Sequence, residues 1–492
     1  MHNVMRLCMA DTFTPFSVSN IRCKIKGLSS AVVEGNLVRE RTTPFCRVLY
    51  SPFTSDLLVE SLPFKYAAIP PEAYIRLHPA PMPNPTIDKK QQLRAKLIDK
   101  GRSAVEAEGT NSALRHRIIS SNLRDLVGGI TKHEWTATQV VTAFIAQAIK
   151  AHDLTNCLTE SRTVLFEPAL KAAGELDDYF NQTGQLRGPL HDEIKGYDNT
   201  IGFTHWADQH ANQDAELVAL ARSLGGVVIA KTNVPQTMLS FECDNPLWGK
   251  TTNPYNESNT AGGSSGGEAA VLRFGGSALG MGSDIGGSLR IPTSYCGVYS
   301  LKPTNMRFSG RGAVGCVPGF TGITTVYGPM ARSVADVKYA CEVFFGQQAT
   351  VPAATLPPVK YRTDLDLSKP LKIGYFKTDR FVRASPACQR AVLESVEALK
   401  GKGHIIEEIS PPDIAELLKL FVELSSADGY KTMLSHLQSD KQEPALFLVT
   451  LGPRLPATSL FVCLLTTRPS HDCLVLHVHE LCRSSGQAQR LD

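Results

Sequence analysis

The stretch from Gly262 to Gly297 constrains the fold of this chain more than any other part of its sequence. It is dense in glycine and serine, carries few charges and has apolar residues interspersed along it. Glycine lets the backbone approach other atoms closely, whereas a solvated linker would lack the apolar residues. The composition therefore favours a segment whose backbone packs close to a site.

Two amphipathic helices are predicted upstream of this stretch. Apolar residues lie on one helical face from Val140 to Ile149, and Thr136 with Gln139 forms a capping-box pattern in front of them. A second helix is predicted over 214–224. It ends at two glycines and leads into the apolar run 227–230, which is typical of a short buried strand.

Strand and helix patterns alternate again after Pro370, with the segment LKIGYF, a helix around Val392 to Leu399, and the segment HIIEEI. We therefore expect one large α/β domain, with a mixed central sheet covered by helices on both faces and the serine-rich loops at its centre. Residues 1–110 show no sustained periodicity, so we expect a poorly defined N-terminal extension over 1–112.

Charge and cysteine content exclude several classes of function. The 51 basic and 47 acidic side chains are spread along the chain and form no patch that would favour nucleic acid or an anionic membrane. The 12 cysteines lack the spacing of a zinc site or of a disulfide scaffold. No apolar run approaches a membrane span, and the first residues lack the pattern of a signal peptide. We expect a cytoplasmic protein.

Two serine-containing segments carry the predicted chemistry. AGGSSGGEAA holds Ser264 and Ser265, and GSDIGGSLRIP holds Ser288. A serine that attacks an amide must lose its hydroxyl proton, and the oxyanion that forms needs preorganised N–H donors. The glycines next to Ser288 leave such donors unhindered. A glycine-rich turn without function remains the alternative for GGSSGG taken alone.

Both segments resemble the hallmark of the amidase signature family, which is GGSSGG followed by a GxDxGGSxRxP block. The resemblance extends from about Leu123 to about Glu443 and includes AKTNVPQTMLSFECDNPLWGKTTNPYN, GVYSLKPT and GPMARSVADV. It is strongest to the acetamidase-like and fatty-acid-amide-hydrolase branches. The resemblance implies an amidase signature domain over 113–444 and an unrelated tail over 445–492.

The resemblance also implies roles for the serines and their neighbours. Ser288 would be the nucleophile that forms the acyl-enzyme, and Ser264 would relay the proton after a cis peptide bond that follows Gly263. The amides of Ile285, Gly286 and Gly287, together with that of Ser288, would form the oxyanion hole. No metal and no organic cofactor is implied.

Three further residues match positions of the family that support the reaction. Asp284 and Arg290 match residues that brace the nucleophile loop, which charge pairing within a glycine-rich turn explains. Met238 falls where the family lines its acyl pocket, although a single methionine is often core packing.

The chain departs from the family where the catalytic lysine is expected. The family has a phrase like GPLHGVPVSLKDxFDIKGYDTTIGF, whereas this chain has GPLHDEIKGYDNTIGF. Roughly ten residues, about one strand with its turn, are absent between His191 and Ile194. Lys195 aligns with a lysine after the lost block, and Lys231 and Lys302 match positions of structural lysines. Without the base, the rate should fall by about 10² to 10⁴.

The resemblance predicts hydrolysis of a carboxylic amide to an acid and ammonia or an amine, and the missing lysine segment predicts that this activity is impaired in this chain. A catalytically inactive remnant, or a wrongly joined gene, is one alternative. A glutamine amidotransferase subunit that passes ammonia to a partner is another. We expect a small-molecule amide substrate and no nucleic acid partner, and a homodimer stays open.

Overall fold

The structure is a computed structural model that describes residues 84–109, 111–159, 165–185, 196–347, 359–364, 366, 368–438 and 440. These residues belong to two compact units. Pro370–Thr378 and Arg383–Ser410 form the smaller unit, and the other described residues form the larger one. Lys195 and the predicted deletion between His191 and Ile194 lie outside the described residues, as does the predicted tail over 445–492.

Helices make up most of the larger unit. Their bounds are α1 (Pro85–Ala107), α2 (Ser112–Ser120), α3 (Leu123–Thr131), α4 (Ala137–Thr155), α5 (Phe166–Thr183), α6 (Glu216–Ser223), α7 (Gly266–Arg273), α8 (Arg290–Cys296), α9 (Val334–Phe344), α11 (Ile414–Ser425) and α12 (Lys431–Ser435). The smaller unit contributes α10 (Pro386–Lys400).

Helix α4 forms the centre of the main core, as its apolar face predicts. The capping box is present, because the Thr136 side chain accepts from the Gln139 backbone and the Gln139 side chain accepts from the Thr136 backbone. The helix ends at Thr155, and the cap residue Asn156 adopts the left-handed conformation at φ 54°. Its buried face contacts α1, α2, α5 and α7. The predicted helix is confirmed.

Helix α1 lies within the range 1–112, where a poorly defined extension was expected, and it is part of the core. Ile98 and Val105 of α1 are buried in the same core cluster as α4. Lys90 is also buried and donates hydrogen bonds to Asp198 and Asp208, the latter at 2.9 Å. The polar sequence of this helix gave no sign that it is buried. Its buried Lys90 ammonium is stabilised by a carboxylate in a loop more than a hundred residues away, which the local sequence does not show.

The sheet of the larger unit has the strand order β3 (Leu279–Asp284), β5 (Val326–Ala331), β4 (Tyr299–Ser300), and both pairs are antiparallel. Leu279 and Met281 belong to a core cluster with residues of α6 and α9. Gly280 and Gly282 instead face Glu268 and Ser265 at the start of α7. Alternate residues of β3 thus face helices on opposite sides of the sheet, as predicted.

Two short strands, β1 (Thr252–Asn253) and β2 (Asn256–Thr260), form an antiparallel hairpin that leads into Ser264. The predicted helix before Gly225 is confirmed as α6. The strand predicted over 227–230 is wrong, because this segment is not part of any sheet among the described residues. Just after it, an isolated bridge joins Leu158 to Thr232.

The smaller unit contains the parallel pair β6 (Lys372–Tyr375) and β7 (Ile405–Glu408) together with α10. The Ser385 side chain accepts from the backbone N–H of Cys388 and caps α10, which begins with Pro386. This strand, helix, strand order is the one that the sequence predicted after Pro370. The chain therefore has the predicted α/β class.

Candidate active site

The loop that carries Ser288 begins where β3 ends at Asp284. The fully buried Asp284 carboxylate accepts hydrogen bonds from the backbone N–H of Gly287 at 2.9 Å and of Leu289 at 3.1 Å. It also accepts from Arg290 Nε at 3.0 Å and from Arg290 Nη2 at 2.9 Å. One carboxylate therefore closes the turn around Ser288 from both sides.

These contacts set the charge state of the pair. Burial raises the pKa of Asp284, but the hydrogen bonds from Arg290 and from the two backbone N–H groups outweigh it and hold the pKa below its usual value. The hydrogen bond to Asp284 raises the pKa of Arg290. The turn is thus built around a fixed ion pair, which agrees with the bracing role predicted for both residues.

The second serine loop joins β2 to α7. The Gly263–Ser264 peptide bond is cis, as the resemblance implied. Gly263 packs against backbone, since a Cβ there would lie 2.5 Å from the carbonyl oxygen of Ser240 and 2.9 Å from that of Glu242. Only glycine fits this approach. The loop is therefore held close to the segment that follows Met238.

The two serine loops are in contact. The backbone N–H of Ser265 donates to the carbonyl oxygen of Ser288 at 3.3 Å. Ser264 and Ser265 are buried, with exposed fractions of 3% and 6%, whereas Ser288 is half-buried. Neither the Ser264 nor the Ser288 hydroxyl has a hydrogen-bond partner among the described residues. The more accessible hydroxyl is thus that of Ser288, the predicted nucleophile.

The predicted oxyanion donors separate into two groups. No described residue accepts a hydrogen bond from the N–H of Ile285, Gly286 or Ser288. The N–H of Gly287 differs, because it donates to the Asp284 carboxylate. Gly287 instead supplies a left-handed turn at φ 126°. The structure therefore leaves three amides, rather than four, for a ligand oxygen.

Met238 lies in an apolar cluster next to the Ser264 loop. It ends the 3-10 turn Gln236–Met238 at φ 59° and packs with a group of buried residues made up of Ile201, Phe203, Tyr430, Met433 and Leu437. Two residues further on, Ser240 approaches Gly263. The pocket role predicted for Met238 is compatible with this position, although core packing explains it equally.

The lysines considered as bases lie elsewhere. Lys231 Nζ donates to the carbonyl oxygen of Asp198 at 3.0 Å and to Asn199 Oδ1 at 3.1 Å. Lys302 is exposed. No lysine donates a hydrogen bond to Ser264 or Ser288 among the residues that the structure describes. The structure thus agrees with a structural role for Lys231.

Sequence reasoning missed two residues near the loops. Phe421 of α11 lies over Gly286, where a Cβ would be 3.2 Å from the Phe421 ring. Glu268 of α7 accepts a hydrogen bond from the Thr232 hydroxyl at 2.9 Å, and burial raises the pKa of Glu268 to about 7. The glutamate directly follows GGSSGG, so its position offered a signal, whereas Phe421 offered none.

The described residues contain neither a membrane-spanning helix nor a metal-binding group of side chains. No helix there is long and apolar enough to cross a membrane. In the same ranges, no three His, Cys, Asp or Glu side chains are grouped so that they could hold a metal ion.

Comparison with known structures defines the class of fold first. The fatty acid amide hydrolase structure superposes with a TM-score of 0.63 at 27% identity, covering 84% of this chain and 72% of that chain. An amidase crystal structure shares the fold at a TM-score of 0.54. The fold and its paired serine loops are thus those of the amidase signature class.

Sequence comparison then identifies the family. Residues 139–454 match the family model described as Amidase. Amidase 1 of Gibberella moniliformis is 39% identical over 337 residues, and fatty acid amide hydrolase 1 of Caenorhabditis elegans is 35% identical over 372 residues. These matches cover 65% and 73% of this chain, and 64% of each relative. The chain belongs to the amidase family and spans less than two thirds of these relatives' length.

Proposed function

We propose that this chain acts on a carboxylic amide through an acyl-enzyme on Ser288. The observation that carries the proposal is the half-buried Ser288 hydroxyl beside three N–H groups that have no acceptor among the described residues. Such donors stabilise the oxyanion that forms when an oxygen attacks a carbonyl carbon. The names of the relatives, amidase and fatty acid amide hydrolase, agree with this substrate class.

The reaction needs two steps. In the first, Ser288 Oγ bonds to the carbonyl carbon, its proton passes by way of Ser264 to the departing nitrogen, and the C–N bond breaks. In the second, water hydrolyses the ester and releases the acid. The N–H groups of Ile285, Gly286 and Ser288 would hold the oxyanion in both. The products are the acid and ammonia or an amine.

The proton transfer is the weak point of this chain. A neutral serine relay needs a base that accepts its proton, and no lysine is hydrogen-bonded to Ser264 among the described residues. Loss of general-base assistance costs about 10² to 10⁴ in rate. We therefore propose slow hydrolysis, and the same observation favours the second candidate, an amidase-fold remnant that binds amides without turnover.

A serine-directed fluorophosphonate probe tests the assignment of the nucleophile. We expect labelling of the native chain at Ser288 and loss of labelling in Ser288→Ala, while Ser265→Ala keeps it. Persistent labelling of Ser288→Ala at Ser265 would overturn the assignment. Assays with short aliphatic and aromatic amides then separate slow turnover from binding alone.

The apolar cluster around Met238 supports a pocket for the acyl part of the substrate. Replacing Met238 by alanine should then change the KM for amides of long acyl chains more than that for acetamide. Equal changes for both substrates would indicate core packing instead.

We further propose a cytoplasmic location and action on a small molecule without nucleic acid. Cys157, Cys243 and Cys296 are free and buried, and burial raises the pKa of each thiol to about 12. Unpaired thiols are typical of reducing compartments. A fluorescent fusion tests the location, and light scattering tests whether the chain forms a homodimer.

A further inference from the structure

A small cavity of about 150 Å³ lies beside α7 and has both apolar and polar lining residues. The apolar lining includes Ala148, Leu158, Val271, Leu279 and Met281. The polar lining includes Thr232, Glu268 and Ser277. Neither Ser264 nor Ser288 lines this cavity, so it is distinct from the candidate active site.

The Glu268 carboxylate has one oxygen that accepts no hydrogen bond from the described residues. Its Oε2 accepts from the Thr232 hydroxyl at 2.9 Å, whereas no described residue donates to Oε1. Oε1 lies over Gly280 of β3, where any Cβ would overlap it. Because Glu268 and Gly280 both line the cavity, the glycine leaves space there for a carboxylate oxygen that can still accept.

No described cation forms an ion pair with Glu268. Lys231 also lines the cavity, but its Nζ donates to the carbonyl oxygen of Asp198 at 3.0 Å and to Asn199 Oδ1 at 3.1 Å. The nearby Cys157 thiol is neutral, because burial raises its pKa to about 12. Burial likewise raises the pKa of Glu268 to about 7. An ionised Glu268 is therefore a buried carboxylate that lacks a cation, which is a costly arrangement.

The lining residues define the kind of cation that fits. No group of side chains among the described residues could hold a metal ion, which leaves an organic cation. The Thr232 and Ser277 hydroxyls donate to Glu268 and to the carbonyl oxygen of Leu279, so their oxygens keep lone pairs that can accept from an ammonium group. The apolar lining suits an alkyl chain. A cavity of about 150 Å³ holds a molecule of roughly six carbon atoms.

We propose that the cavity beside Glu268 is a binding site for a short-chain primary alkylammonium ion. The ammonium group donates to Glu268 Oε1 and to the hydroxyl oxygens of Thr232 and Ser277. An alkyl chain of about four carbons lies against Ala148 and Val271. The ligand supplies the cation that the buried carboxylate lacks. No step of the reaction at Ser288 enters this proposal.

Isothermal titration calorimetry of the full chain with n-butylammonium chloride at constant ionic strength tests the proposal. We expect one site with a dissociation constant on the order of 1 mM at pH 8. Binding should weaken about tenfold at pH 6, because Glu268 gains a proton between these pH values while the amine stays protonated. No binding at pH 8, or equal binding at both pH values, would overturn the proposal.

Ligands of matched shape separate the ion pair from simple filling of the cavity. Butan-1-ol has the same chain without the charge and should bind at least about tenfold more weakly than n-butylammonium. The n-octylammonium ion is too long for about 150 Å³ and should also bind more weakly. Equal binding of the alcohol, or tighter binding of the longer ion, contradicts the proposal.

Three variants locate the site. Glu268→Gln should weaken binding at least about tenfold and abolish its pH dependence. Glu257→Gln removes the same charge at an exposed position outside the cavity lining and should leave binding unchanged. Ser288→Ala should also bind n-butylammonium like the native chain, which separates this cavity from the candidate active site. Native binding in Glu268→Gln, or loss of binding in Ser288→Ala, would overturn the assignment.

Discussion

Asp284 and Arg290 form a two-bonded ion pair across the loop that carries Ser288. Arg290 Nε donates to Asp284 Oδ2 at 3.0 Å, and Arg290 Nη2 donates to Asp284 Oδ1 at 2.9 Å. The same carboxylate holds the N–H groups of Gly287 and Leu289, on either side of Ser288. The geometry of the loop that carries Ser288 therefore depends on a charge that is itself buried.

Replacing Asp284 should reduce both stability and Ser288 reactivity. Asp284→Asn keeps the shape but removes the charge, and a hydrogen bond to a charged group contributes about 1.5 to 3 kcal/mol. We expect a fall of that size in the free energy of unfolding and a slower rate of phosphonate labelling. Arg290→Lys keeps the charge but loses the paired geometry, so its effects should be smaller. Native labelling rates in Asp284→Asn would contradict the bracing role.

Glu268 should make the protein less stable as the pH rises. Its pKa in the folded chain is raised to about 7 from 4.5, so the cost of ionising it is absent below 4.5 and complete above 7. Glu268→Gln should therefore gain up to roughly 3 kcal/mol of stability relative to the native chain between pH 4 and pH 8. Urea unfolding at both pH values measures this difference. A difference between the two proteins that does not change with pH would contradict the assignment.

A side chain at Gly263 should disturb the Ser264 loop. Gly263→Ala would place its Cβ against the carbonyl oxygens of Ser240 and Glu242, and overpacking of this kind costs about 1 to 3 kcal/mol. Gly174→Ala is the control, since no atom lies within 4 Å of its Cβ on α5. That variant should be neutral or more stable by up to about 1 kcal/mol. Thermal unfolding and phosphonate labelling of both variants separate loop damage from a general effect of alanine.

If the loss of a catalytic lysine makes this chain a poor amidase, restoring a strand that carries a lysine should recover amide hydrolysis. An apolar stretch ending in Lys-Asp, inserted between His191 and Asp192, should raise amide hydrolysis by about 10² to 10⁴. It should also raise solubility, because each buried backbone group that regains a partner avoids a cost of about 1 to 3 kcal/mol.

The same insert with methionine in place of lysine is the control for that experiment. It should fold like the restored chain and stay inactive. If both inserts were equally active, or if the original chain were as stable as both, the idea of a lost catalytic strand would have to be abandoned. Loss of activity in Lys195→Ala of the original chain would show that this neighbouring lysine had taken over the role.

Several features of this protein followed from the sequence alone because they depend on residues close together in the chain. The capping box of α4 joins Thr136 to Gln139, and the Ser288 turn joins Asp284 to Arg290. Hydrogen bonds over three to six residues need only the right side chains at the right spacing. The two serine loops were identified by their resemblance to the family motifs, and the α/β class by the alternation of helix and strand patterns along the chain.

The tertiary structure alone decided what is buried and which groups are engaged. The buried Lys90 ammonium is paired with the carboxylate of Asp198, which lies far along the chain, and burial by elements distant in sequence raises the pKa of Glu268. The Gly287 amide donates to Asp284, whereas the resemblance implied that it would be part of the oxyanion hole. Burial depends on which distant segments pack together, and the local periodicity of the sequence does not predict those segments.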